Sequence, residues 1–259
     1  MKGRRGNVME LYRGLKGEFC KMRHTSLFLL HLLLPLLGCL VFLWYFSFSR
    51  GRVQGHIGGF IQAVGCAYPF AASLVCAKAV ALEGENHFQV FLGTLKRKET
   101  AFFAKWLSLE LLGFAAVFLT VFGFALGYHG ILGREGLSFL VYGKAVLVLW
   151  MGSIPLYLEH LFFNLQFSGA ISMGIGLAQS LTAALFLTGL GEGRWQFVPC
   201  TWPARGGNLL LLSAWGTDQG AYFLGETEKA FKAGLLLTAL LCVIILAWFY
   251  FYEGRQRNE

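Results

Sequence analysis

The chain has 259 residues, of which 56% are hydrophobic and only 14% charged, with a mean hydropathy of +0.58 and a net charge of +8. A soluble domain carries about 25% charge, so this composition argues against a soluble enzyme. A nucleic-acid binder would expose its basic residues rather than dilute them among 25 Phe, and the apolar content excludes intrinsic disorder; what remains is an all-α polytopic membrane protein.

Residues 8–22 place Val8, Leu11, Tyr12, Leu15, Phe19 and Met22 on one helical face, with Arg13, Lys16 and Lys21 toward the other. This predicts an amphipathic helix within residues 1–25, lying on the inner membrane surface with its cations near anionic lipid headgroups. An irregular basic tail is the alternative. A bilayer core about 30 Å thick needs roughly 20 apolar residues in a helix. Six stretches qualify or nearly do: 26–48, 57–82, 106–128, 138–163, 170–190 and 229–252. The first could be mistaken for a secretory signal, since Ser47 and Ser49 form a small-x-small pair before Arg50. Its apolar run and the basic region before it are both too long for that, and it reads as a retained anchor.

Residues 83–105 are too short to span and too apolar to stay free in water. Phe88, Phe91, Leu92 and Leu95 fall at i, i+3, i+4 and i+7 on one helix face, with Glu85, Asn86 and Gln89 elsewhere on the wheel. The segment is expected to lie on the membrane, to dock on a cytoplasmic partner, or to be a tight interfacial connector. Residues 164–169 are short and uncharged. In the fifth span Ser172, Gly176, Ser180, Ala184 and Thr188 form one small-residue ridge, and Ala170, Gly174, Ala178 and Thr182 the next; the second span adds Gly55, Gly59, Ala63, Ala67 and Ala71. Such ridges let helix backbones approach closely, within the chain by default or against another subunit. Pro35, Pro69 and Pro155 can kink their spans. Lys78, Glu110, Lys144 and Glu159 lie toward span ends and are expected to snorkel to an interface. Residues 191–228 carry Trp195, Trp202, Trp215, Tyr222 and Phe223, which suit the headgroup level. Apolar 209–212 are too few to span, so this segment is expected to dip into the outer interface as one or two helices, or to form an aromatic-anchored loop.

With the N-terminus inside, the inner segments hold 13 Lys and Arg and the outer segments 5. This bias predicts both termini in the cytoplasm. The whole of 1–259 reads as one membrane domain, because no connection is long enough for a separate one. Cys20, Cys39, Cys66, Cys76, Cys200 and Cys242 make no CxxC pair and read as small apolar fillers. No phosphate-binding loop, HExxH or GxSxG occurs, and the six His have no ligand spacing. Glu159 and His160 are adjacent, about 100° apart on a helix. No catalytic residue, metal site or nucleic-acid partner is expected.

The six-span pattern with a cytoplasmic helix resembles the permease subunits of type-2 (type V) ABC exporters. Three stretches sharpen the likeness: Tyr68-Pro69-Phe70 through Glu83-Gly84-Glu85 and Phe88-Gln89-x-Phe91-Leu92; Ile154-Pro155-Leu156-Tyr157; and 180–205, with Gly189, Gly191, Glu192, Trp195, Pro199, Trp202 and Arg205. Together they look like the lantibiotic immunity permeases of Gram-positive bacteria. Relatives often have Gly-Asp where this chain has Gly191-Glu192, and the basic residues 2–5 lie outside the motif. The resemblance implies a cell-membrane subunit paired with a second permease and a cytoplasmic ATPase dimer. ATP and Mg would bind the ATPases, none on this chain. It implies that residues 83–94 form the coupling helix, contacting the ATPase through Glu83, Glu85, Phe88, Phe91, Leu92 and Leu95. The family's activity is removal of a cationic lantibiotic peptide from the outer face of the producer's membrane, for which Trp195, Trp202 and Arg205 are candidate contacts. The alternatives are a type-2 permease for another amphipathic substrate, such as a lipid-linked molecule or a drug, or a non-transport membrane scaffold.

Overall fold

The computed structural model describes residues 2–23, 25–216 and 220–254, with side chains from residue 9 onward in the first stretch and from 225 onward in the last. The side chains of residues 2–5, Val8, Tyr222 and Phe223, singled out above, lie outside the described residues. The described chain is helical and contains no strand. Its elements are α1 (Lys2–Arg23), α2 (Ser26–Phe48), α3 (Val53–Gly84), α4 (Gln89–Gly93), α5 (Lys98–Leu126), α6 (Phe139–Gln166), α7 (Gly169–Leu185), α8 (Trp202–Ala214) and α9 (Gly220–Phe251).

Five helices are long and apolar enough to cross a membrane: α2, α3, α5 with the π-turn Gly127–Ile131 that extends it, α6, and α9 from Gly225. Thr25 separates α1 from α2, its hydroxyl accepting a bond from the Leu27 amide at 3.3 Å, the N-cap arrangement that starts a helix. α2 then runs unbroken through Pro35. Its Leu29, Leu33, Leu37, Leu40 and Trp44 are exposed, as are Leu235, Leu236, Leu240, Val243 and Ile244 on α9. Exposed apolar surface this continuous suits lipid and not water, so α2 and α9 are the periphery. α3 and α5 form the centre, each about half buried along its apolar window. Phe60 of α3 stacks on Phe124 of α5 with centroids 3.8 Å apart.

The expected fifth span is shorter than its hydropathy suggested. α7 stops at Leu185 after 17 residues, about 25 Å of helix against the 30 Å of a bilayer core. Thr188 turns the chain by accepting a bond from Leu190 N, and Gly191 folds back so tightly that a Cβ there would lie 2.1 Å from the Phe186 carbonyl oxygen. The apolar run continues past 185, but the backbone does not continue as α-helix.

The small-residue ridges divide between two uses. Gly176 and Ser180 face α3, whereas the buried Ser172 turns its hydroxyl to α6: a Cβ on Gly176 would meet Ser73 Oγ at 2.4 Å, and Ser180 Oγ accepts from the Phe70 amide at 3.2 Å. Ala184 on this ridge is exposed, as are Ala170, Gly174 and Ala178 on the next. α8 packs between α3 and α6, because Gly65 and Gly152 leave room for it. A Cβ on Gly65 would sit 2.4 Å from Ala204 Cα, and one on Gly152 would sit 2.9 Å from Pro203 N.

Candidate functional site

At the end of the bundle where α1 lies, four charged side chains meet in the interior. Lys105 Nζ, on the second turn of α5, donates to Glu18 Oε2 at 2.6 Å and to Glu83 Oε1 at 2.7 Å. Lys21 Nζ donates to Glu18 Oε1 at 2.5 Å and to the same Glu83 Oε1 at 2.7 Å. Glu18, Glu83 and Lys105 are buried, and Lys21 is the one partly open member. Two cations alternate with two anions, so the interior carries no net charge, which is the condition for keeping ions away from water. Burial works against the Lys21 ammonium, but the Glu18 and Glu83 carboxylates outweigh it and hold its pKa above the ordinary lysine value. α1 approaches closely enough because Gly14 faces α5; a Cβ there would lie 2.9 Å from Ala104 Cβ. Along α1, Leu11, Leu15 and Phe19 are half-buried and Met22 is buried, whereas Tyr12, expected on the same face, is exposed.

The quartet supports the turn that follows α3. α3 ends at Gly84, one residue after Glu83, so Glu83 belongs to a span end and not to the short helix. His87 and Phe88 then take left-handed backbone conformations (φ 51° and 61°), unusual for residues with side chains. They reverse the chain into α4, which has only five residues. The segment expected as one helix over 83–94 is therefore a helix end, a strained turn and a short helix. Two of its apolar residues, Phe88 and Phe91, point inward. Phe91 packs on Phe249 of α9 (5.7 Å) and under Lys105 Nζ (5.3 Å), and Phe88 packs edge-on against Tyr252 (6.2 Å). Leu92 and Leu95 are half-buried. The exposed residues of this stretch include Glu85, Asn86, His87, Gln89, Val90, Thr94, Lys96 and Arg97. Beside it, α1 and α4 enclose a groove of about 690 Å³ lined by Glu10, Arg13, Gly17, Val90 and Thr94.

At the opposite end, two of the three aromatic residues expected at the headgroup level whose side chains are described, Trp195 and Trp202, are interior, and Trp215 is half-buried. Trp195 and Trp202 are buried and pack together with Leu209. Trp202 Nε1 donates to the Gln196 carbonyl at 3.1 Å. Trp195 Nε1 donates to Glu226 Oε2 at 3.3 Å and Gln196 Nε2 donates to the same oxygen, which fastens α9 to the 195–202 turns. Arg205 is buried, its Nη1 on the Leu187 carbonyl at 3.0 Å. Gly191 is buried and Pro199 half-buried, while Gly189, Glu192, Arg194 and Phe197 are exposed. Any ligand at this end meets the last four before it meets either Trp.

Two of the span charges behave differently from the snorkelling expected of them. Lys78 and Lys144 are exposed. Glu110, by contrast, is buried midway along α5, and neither carboxylate oxygen has a hydrogen-bond partner. Glu159 is joined to its neighbour His160 through Gln179: Gln179 Nε2 donates to Glu159 Oε1 (2.7 Å), and its Oε1 lies 3.0 Å from His160 Nε2. His160 Nδ1 and Asn164 Nδ2 both reach Ser172 Oγ, at 3.0 and 2.8 Å, so the network clamps α6 to α7. Gln179, Glu18 and Lys105 carried no motif; the only hint was a polar residue in an apolar or amphipathic helix. None of the six cysteines is paired, and no cluster of three or more His, Cys, Asp or Glu able to hold a metal occurs among the described residues. Comparison with protein-family models, with curated proteins and with solved structures finds no match to this chain.

Proposed function

We propose that this chain is the membrane-spanning permease subunit of an ATP-driven exporter of the type-2 ABC class, expelling a lantibiotic or similar antimicrobial peptide from the cell membrane of its producer. In this reading both termini and α4 face the cytoplasm, α7 with the turns after it makes a sixth crossing, and a second permease and an ATPase dimer complete the machine. The observation that carries the reading is the quartet. It joins α1, α3 and α5 in one unit directly behind α4, so a push on the 85–97 surface is transmitted to two central spans without first deforming a soft loop. An energy-consuming partner needs such a stiff connection. The basic excess on this side and the likeness of the 68–92 and 180–205 stretches to immunity permeases support it further.

The docking surface in this reading is the exposed one, not the buried Phe88 and Phe91. Val90→Asp puts a charge on an exposed apolar position (44% exposed) and is expected to reduce co-purification of the ATPase about tenfold or more, with insertion and thermal stability unchanged. Producer survival against the purified peptide should fall in parallel. Wild-type levels of bound ATPase in the Val90→Asp protein would remove α4 from the coupling path.

A further inference from the structure

Two connections meet at the end of the bundle opposite the quartet. Residues 49–52 join α2 to α3, and residues 127–138 join α5 to α6 through the π-turn. His56, on the first turn of α3, is 3% exposed there. Phe46 of α2 stacks on its ring with centroids 4.3 Å apart. The turn between α2 and α3 closes over the ring edge: a Cβ at Gly51 would lie 2.6 Å from His56 Nε2.

Both ring nitrogens are engaged. Nδ1 lies 2.9 Å from Arg134 Nη1 and 3.0 Å from the Tyr128 hydroxyl, and Nε2 lies 3.0 Å from Ser49 Oγ. A guanidinium donates and never accepts. Nδ1 is therefore the acceptor, and the one proton of the uncharged ring is on Nε2, where Ser49 Oγ accepts it. Arg134 Nη2 donates to the Ser49 carbonyl at 2.9 Å, and the Arg134 amide donates to the Tyr128 carbonyl at 3.2 Å. Arg134 thus ties the two connections together, and His56 is an acceptor that holds it. The titratable and charged groups against the ring are Tyr128 from the π-turn and Arg134 from the segment after it; α2 and its end present Phe46 and Ser49. Arg50, Arg52 and Glu135 are exposed, and His129 packs against Tyr142. Among the described residues, no carboxylate bonds to the ring or to Arg134.

This geometry admits only the uncharged ring. A proton on Nδ1 would take the lone pair that Arg134 uses and set two cations in contact with no anion between them, in a site largely closed to water. Arg134 is half-buried and has a path to water, whereas the ring is held by Phe46 and the turn. We propose that His56 is an acid-sensitive latch: uncharged, it holds the 49–52 and 133–138 segments together through Arg134; protonated, it expels Arg134 and frees the two connections from each other. An imidazole in water takes up a proton below about pH 6.5, so the latch is closed above that pH and weakens as the pH falls below it. The switch goes beyond the exporter reading and stands whether or not an ATPase drives the protein.

The full-length protein in phosphatidylcholine nanodiscs provides the test, read by millisecond hydrogen exchange of residues 130–137, each rate divided by that of an unstructured peptide at the same pH. In the wild type this protection should fall about tenfold or more between about pH 7.5 and about pH 5.5. The His56→Gln amide oxygen can still accept from Arg134 but takes up no proton in this range, so its protection should stay constant within about twofold. A second pair keeps the test open should His56→Gln melt early. Arg134→Lys retains a cation beside the ring and should keep a pH step, while Arg134→Gln removes the cation and should lose it. No step in the wild type, a step of wild-type size in His56→Gln, or equal steps in Arg134→Lys and Arg134→Gln would overturn the proposal.

Discussion

Replacing Lys105 with methionine is expected to destabilise the protein by about 3–5 kcal/mol, the cost of leaving buried charge without its partner. Lys105 is the one fully buried cation of the quartet, held by Glu18 and Glu83. Without it, two buried carboxylates share a single, partly exposed Lys21. The loss should appear as a lower unfolding midpoint of the purified protein in detergent. The quadruple change Lys21→Met, Lys105→Met, Glu18→Gln, Glu83→Gln should recover most of it, because a set of similar volume without charge avoids the cost of burying ions. The recovered protein distinguishes stability from coupling: in the transport reading it folds but passes less of the partner's work, because the charge-assisted bonds that stiffen the joint are gone. An equal loss in the single and quadruple variants would show that packing around Lys105 matters and its charge does not.

Trp202→Ala is expected to cost a similar amount, about 3–5 kcal/mol, for a different reason. The indole is buried with Trp195 and Leu209 and sits 3.6 Å from the position a Cβ on Gly234 would take, so it fills the junction between α8 and α9. Truncation leaves a cavity and frees the Gln196 carbonyl from its donor. Reduced yield and a lower melting temperature are the expected readouts, and in the transport reading a loss of peptide resistance in this variant follows from misassembly. Phe197→Ala is the informative companion. Phe197 is 68% exposed, so its removal should leave the melt unchanged; in the transport reading it lowers resistance. If Trp202→Ala melts like wild type, the tryptophan is not the packing element described here.

Much of the architecture was legible from the chain, because spans are specified locally. Thr25 before an unbroken apolar run marks the start of α2, and its end at Phe48 precedes Ser49 and Arg50. Gly176 announced a close helix contact and makes one with α3, and Ser172 on the same ridge makes one with α6. What was not legible depends on contacts far apart in sequence. The periodicity of Phe88 and Phe91 identifies a face that must be covered, but it cannot say whether the cover is a partner protein or Phe249 and Tyr252 of the same chain. Glu18 and Lys105 are 87 residues apart, and Lys105 and Glu83 are 22 apart; read singly, each is an ordinary charge near a membrane surface. α8 was placed at the interface because its apolar run is short. Its burial is set by Gly65 and Gly152 on other helices, which no local pattern connects to it. α7 ended early because backbone turns at Thr188 and Gly191 outweighed hydropathy.

The central claim is that the α4 surface faces the cytoplasm, where a motor can grip it. A cysteine at Thr94, introduced with Cys20→Ser so that the exposed native thiol on α1 does not react, tests this directly. A membrane-impermeant maleimide should leave position 94 unlabelled in intact cells and label it fully in inside-out vesicles. Labelling in intact cells would place α4 outside, and coupling to a cytoplasmic ATPase through it would be impossible.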